Sequence, residues 1–164
     1  MTVIRPNRRA ERDPMNGEIR NPSEDVHLTG VDEQLKRIWE IAPAGFVMAL
    51  DINWGGPTYA HFEFPDEWRD RYYNNNYFIL DPVFYYTMTR RGRKRWSELR
   101  LPDPARIFEK AKEYNLNFGA VFSLRHDRTR SFITTARQDR EFTDAELDEI
   151  QELFEHCVRV AMEK

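Results

Sequence analysis

The run Phe46 to Ile52, F-V-M-A-L-D-I, restricts the fold of this chain more than any other stretch. It has the length of a strand and is apolar on both of its sides, so both faces of the sheet that holds it must be covered. Asn53-Trp54-Gly55-Gly56 then supplies a turn, and a second extended run from Thr58 to Phe64 completes a hairpin. Residues 119–125 and 131–137 read as a second hairpin around Asp127 to Arg130. Helical spacing occupies the rest. Val31, Leu35, Ile38 and Trp39 form one apolar stripe that Pro43 closes. Pro65-Asp66-Glu67 opens a helix to about Tyr73, with proline at the first position and acids at the positive pole. Asp81-Pro82 opens another, which should end near Gly92, and a further one follows Pro104 with Ile107, Phe108, Ala111 and Tyr114 on its apolar side. Thr143 with Glu146 is a capping box for a last helix whose stripe is Leu147, Ile150, Phe154, Cys157, Val158 and Ala161. The expected class is α+β: an α-β-α sandwich with a central, mainly antiparallel sheet and helices on both faces.

Residues 1–26 are polar, carry Pro6, Pro14 and Pro22, and are expected to form a disordered N-terminal arm ahead of a single domain over 27–164. No repeat or second domain follows, so no DNA-binding domain is expected in this chain. The formal charge of −3 gives no global basic field. No apolar run approaches the roughly 20 residues that span a bilayer, and the one cysteine, Cys157, fits a reducing cytoplasm. His27, His61, His126 and His156 lack the paired spacing of a zinc site, and no phosphate loop, dinucleotide fingerprint or nucleophile elbow is present. His156 and Cys157 are neighbours on a helix and point about 100° apart, so they are not read as a catalytic pair. The basic run Arg90-Arg91-Gly92-Arg93-Lys94-Arg95 suits either a nucleic-acid patch or a solvated helix end capped by glycine. With no recognition helix behind it, the second reading is the expectation, and no direct nucleic-acid contact is assigned.

Aromatic residues make up 13% of the chain and crowd between residues 54 and 86. They fill cores, but they also line pockets for apolar ligands. Trp68 and Tyr72 are four apart and share a helix face, offering an indole N–H and a phenolic O–H. Asp81 heads the next helix with carboxylate acceptors. The three suit a compact polar group that needs two donors and one acceptor. They equally suit a core pair and a simple helix cap, and the residue types alone leave both readings open.

The string F-P-x-x-W-x-x-x-Y from Phe64, then L-D-P-V with Asp81-Pro82, then Trp96 and Gly119, resembles the signature of LuxR-type autoinducer-binding domains. The resemblance covers about residues 30–160. It implies a quorum-sensing receptor domain, not an enzyme, with no cofactor or metal, that holds an N-acyl-homoserine lactone between the sheet and one helical layer. By resemblance Trp68 donates to the lactone carbonyl, Tyr72 donates to the acyl carbonyl, and Asp81 accepts the amide N–H. Trp96 packs near the lactone ring, Phe64 and Pro82 belong to the ligand-binding set, and Gly119 shapes the backbone. A hydroxyl on the last strand, here matched to Thr135, assists the acyl carbonyl. The family often has tyrosine where this chain has Phe64.

Members of that family continue into a helix-turn-helix domain that reads DNA. The expected function is therefore sensing of an acyl or aryl lactone, as part or regulator of a LuxR-type transcription factor and as a homodimer. The alternative is a solo domain that forms an inhibitory heterodimer with a full-length regulator, through apolar residues such as Leu153 or Met162 left exposed on the last helix. A lactone hydrolase would need a nucleophile or activated water that the sequence does not offer. A pocket closed by its own aromatics, such as Tyr73, Tyr77 or Phe78, would leave a ligand-free scaffold.

Overall fold

A computed structural model describes residues 26–164. The expected arm over residues 1–26 therefore lies, but for Val26, outside the described residues. Five strands form one sheet: β1 (Gly45–Asn53), β2 (Gly56–Phe62), β3 (Gly92–Arg95), β4 (Phe118–His126) and β5 (Thr129–Arg137). Their order is β2-β1-β5-β4-β3, antiparallel throughout. α1 (Asp32–Ile41) and α5 (Asp144–Met162) cover one face. α2 (Asp66–Asn74), α3 (Pro82–Thr89) and α4 (Ile107–Lys112) cover the other. The sandwich is the one expected from the two-sided apolar run.

Alternation along the pleat sorts that run into two cores. Phe46, Met48 and Leu50 point toward α1 and α5, where Phe122, Ile133 and Phe154 meet them. Val47 points the other way and joins Phe62, Phe64 and Trp68. α5 starts where its capping box places it: Glu146 N–H donates to Thr143 Oγ1 at 3.1 Å, and Thr143 N–H to the Glu146 carboxylate at 2.8 Å. Cys157 is buried in this core, and burial pushes its thiol up to about 12, which leaves it inert beside His156.

Two local features depart from the simple reading. Between Ala49 and Ile52 the β1–β5 register shifts, with Asp51 at φ 54°. Its N–H donates to Ser131 Oγ, and its carboxylate accepts from Thr58 Oγ1 at 2.7 Å, so polar side chains hold the bulge. The second departure corrects an expectation. The helix from Asp81-Pro82 stops at Thr89, and the basic run becomes β3 at the edge of the sheet, not a helix end. Arg90 is already extended, and Gly92, at φ 101°, turns the chain into pairing with β4. A charged strand at an open edge blocks pairing with other chains.

Phe154 is fully buried where α5 meets the sheet. Phe154→Ala is expected to lower the unfolding free energy by about 3–5 kcal/mol, read as a lower denaturant midpoint at unchanged slope.

Candidate functional site

The face of the sheet under α2, α3 and α4 carries the polar groups that the sequence singled out. α2 presents Trp68 inward, where its ring meets those of Tyr72 at 5.9 Å, Tyr77 at 6.0 Å and Tyr114 at 5.4 Å. α3 begins at Asp81, whose Oδ1 accepts from the Val83 N–H at 2.8 Å, the cap expected of aspartate before proline. Pro82 is buried at the first helical position. The other carboxylate oxygen of Asp81 accepts from the Tyr72 O–H at 2.6 Å. Helix cap and tyrosine acceptor are therefore the same side chain, so the cap reading left open by the sequence holds.

Asp81 is only 8% exposed. Burial pushes its carboxyl up to about 6, against the hydrogen bonds from Tyr72 and the backbone of Val83 and Phe84, and the charge of Asp103 adds to the rise. Asp103 itself caps α4 by accepting from the N–H groups of Ile107 and Phe108. Tyr72 is held well above the usual phenol range, by burial first and by the Asp81 charge second, so it remains a donor.

Trp96 closes the other side. Its indole N–H donates to Thr134 Oγ1 at 3.0 Å, and its ring tilts against Phe108 at 5.6 Å. Gly119 lies directly beneath it. A Cβ there would stand 2.1 Å from two atoms of the Trp96 ring, so the close approach itself requires glycine. Trp96 also touches both apolar clusters on this face and so connects the Trp68 side to the Val83 side.

Phe64, Trp68, Tyr72, Asp81, Pro82, Trp96 and Gly119 thus lie under one helical layer. Thr135 does not join them. It pairs with Phe46 and points into the α1/α5 core, with its hydroxyl on the Ala120 carbonyl. The pleat turns its neighbour Thr134, which pairs with Val47, toward Trp96. Counting inward from the second hairpin's turn, where His126 pairs with Thr129, separates the two threonines without a register shift. Tyr77, expected among the aromatics able to close a pocket, and Tyr114, expected on the apolar side of the helix after Pro104, both wall the Trp68 cage. Tyr73 packs against Phe62 and Tyr72, whereas Phe78 turns away onto Phe84.

No spacing in the sequence predicts that His27 and His61 meet. Their rings stack at 4.4 Å, and with Glu63 they bring three potential ligand atoms within 4.8 Å of one another. His61 is buried and its pKa falls to about 4, by burial and then by His27. Its Nε2 accepts from the Leu28 N–H at 3.1 Å, so the neutral ring carries its proton on Nδ1. With Nε2 so occupied, a metal would take His61 through Nδ1 and displace its proton, and the Leu28–His61 hydrogen bond ties the entering chain to β2. An open groove of about 430 Å³ runs past Pro43, Glu63, Tyr114 and Gln138, on the outer side of the Trp68 cage. No helix among the described residues is long and apolar enough to cross a membrane.

The model of the autoinducer binding domain family matches residues 53–163. The fold is similar to that of Escherichia coli SdiA, with a TM-score of 0.63 and 18% identity over 83% of this chain and 62% of that one. SdiA in complex with octanoyl-rac-glycerol gives 0.63 and 19%, over 83% and 61%. CepR2 from Burkholderia cenocepacia, an N-acylhomoserine-lactone-dependent LuxR family transcriptional factor, gives 0.57 and 16%, over 80% and 89%. The chain spans about three fifths of the SdiA chains. No curated relative matches it by sequence.

Two expected outcomes follow from the geometry. Asp81 holds its proton more tightly folded, up to about 6, than unfolded. Its contribution to stability is thus complete below about pH 4 and is lost as the pH rises through 6, a change on the order of 3 kcal/mol. His61 runs the opposite way over the same window. The readout is therefore the difference between wild type and Asp81→Asn, which retains His61: wild type should lose stability relative to the variant between pH 4 and 7. Gly119→Ala should destabilise by about 1–3 kcal/mol through overpacking on Trp96, and Gly119→Ala with Trp96→Phe should recover part of that in chemical denaturation.

Proposed function

The chain belongs to the autoinducer-binding domain family, and from that membership we propose that it is the sensing domain of a quorum-sensing receptor for an N-acyl-homoserine lactone. The observation that carries the reading is the buried Tyr72–Asp81 hydrogen bond. A phenolic donor and a carboxylate acceptor face each other inside an aromatic cage, and a secondary amide offers the complementary pair. On binding, the ligand N–H donates to Asp81 and its acyl carbonyl accepts from Tyr72, so one hydrogen bond is exchanged for two. The second oxygen of Asp81 goes on capping α3.

The remaining roles follow from position. The Trp68 indole N–H is offered to the lactone carbonyl. Trp96 covers the ring, with Phe64 and Pro82 as apolar wall. Thr134, not Thr135, supplies the strand hydroxyl, because it shares the face of Trp96. Phe64 brings no hydroxyl toward the acyl chain. Each methylene of the tail that becomes buried contributes up to about 0.8 kcal/mol, so polar groups choose the head and the wall measures the tail. The family is one of ligand-binding regulatory domains, and the chemistry here is recognition, with no bond made or broken.

A second reading, a domain that pairs with a full-length LuxR-type regulator and blocks it, has less support on α5. Leu153 packs against the α1/α5 core, and Met162 is the large apolar residue that α5 exposes. Ile79, Leu80, Tyr85 and Met88 form a larger exposed apolar group elsewhere, on and just before α3.

The test is thermal unfolding of the protein with homoserine lactones of varied tails. Stabilisation by several degrees is expected, graded with tail length and lost in Asp81→Asn and Trp68→Phe. Thr134→Val should weaken it and Thr135→Val should leave it. Octanoylglycerol, which has no amide N–H, is the comparator suggested by the SdiA complex and should lose less than a lactone in Asp81→Asn. Lactone affinity should fall as the pH drops below about 6, where Asp81 becomes protonated and ceases to be the better acceptor. No shift with any lactone, from folded and empty protein, would transfer the assignment to the partner domain.

A further inference from the structure

The basic run is the one strongly charged motif that the lactone site leaves unused. Folding divides it. Arg93 and Arg95 turn to α5 and meet Asp148 at 2.5 Å and Asp144 at 2.7 Å. Arg90, Arg91 and Lys94 stay exposed. Gly92 pairs with Ser123, which brings Arg91 and Arg90 alongside Leu124 and Arg125 of β4. Arg125 in turn lies directly opposite Arg130 on β5, and Arg128 occupies the turn between them.

Five arginines from two separate parts of the chain therefore gather at one end of the sheet, and none of them has an ion-pair partner among the described residues. Pro82 to Arg95 and Phe118 to Arg130 together contain a single acid, Asp127. Arg130 donates to the Thr87 carbonyl at the end of α3. Its pKa is still depressed, first by burial and then by the charges of Arg125 and Arg91, so the group is mutually repulsive. Like charges facing each other across strands work against a sheet. An anion seated among them removes that repulsion.

We infer that this end of the sheet is a docking surface for the phosphate backbone of duplex nucleic acid. Charge density favours a duplex, whose phosphates are closely spaced along its axis, over an acidic polypeptide. β4 runs on past the end of β3 at Ser123, while β1 stays paired with β5 as far as Arg130, so Arg125 and Arg128 lie at a broad sheet end. Such an end lies across the backbone and does not enter a groove, and guanidinium forks match phosphate oxygens. No side chain is set to read base edges, so contact is sequence-independent and driven by counterion release. The run alone suggested no nucleic-acid contact; the second hairpin changes that, because it raises the gathered arginines from two to five.

The experiment is fluorescence anisotropy of a short labelled duplex of mixed sequence, titrated with the full chain at increasing salt. Neutralising about four phosphates should give a log–log slope near −3.6, a weakening of roughly 100-fold between about 50 and about 200 mM salt. Arg125→Ala with Arg128→Ala, both exposed positions, should reduce the slope by about 2 while the melting curve stays intact. Arg93→Ala with Arg95→Ala, an equal loss of charge on the α5 side, should leave affinity unchanged. The inference fails if the duplex does not bind at the lowest salt, or if the double variant binds as wild type does. It also fails if Arg93→Ala with Arg95→Ala weakens binding equally, or if polyglutamate displaces the probe better than unlabelled duplex of equal charge.

Discussion

A pleated strand covered on both faces sends successive side chains into different cores, and the rest of this protein is arranged around that division. β1, β5 and β4 each supply one set of residues to α1 and α5 and another to the layer of α2, α3 and α4. The first set is mainly apolar packing around Phe46, Phe122 and Phe154, with the Thr135 hydroxyl satisfied by the Ala120 carbonyl. The second includes Thr134 and the glycine beneath Trp96. One layer can therefore remain a rigid base while the other accommodates polar chemistry, since a change of residue on one face leaves the packing of the other untouched.

Within the polar layer, Asp81 is the group under most stress. Its carboxylate is taken from water and compensated by a helix N-terminus and a phenol. Neither contact restores full solvation, which is why its proton is held up to about 6. A buried acceptor in that state favours any neutral donor that can reach it. The Tyr72 hydroxyl fills this role when nothing else does, so the cage need not collapse or flood in order to stay folded.

The architecture was largely legible in the sequence because its signals are local: a two-sided apolar run, two turns, proline-headed helices and a capping box at Thr143. β3 was not, since four charged or glycine residues carry no apolar alternation, and only an open edge on β4 makes them a strand. The cage was readable for Trp68, Tyr72 and Asp81, where helix spacing and the N-cap fix direction. It was misread at Thr135, where two adjacent threonines differ only in the parity set by pairing with β1. The meeting of His27 and His61, 34 positions apart, depends on how the chain enters the sheet, and no spacing rule encodes that.

The contact between Gly119 and Trp96 carries a consequence for how such a domain can diverge. With ring atoms 2.1 Å from where a Cβ would stand, any side chain at 119 is admissible only after the indole has been replaced by something smaller. The reverse order opens a void beside Phe108 that a new side chain can then occupy. Two substitutions taken in one order pass through a clash and in the other through a cavity, and both intermediates are costly. The pair thus acts as a latch on lineage change: neither residue is free to change without the other, and once residue 119 has grown, the indole has no way back.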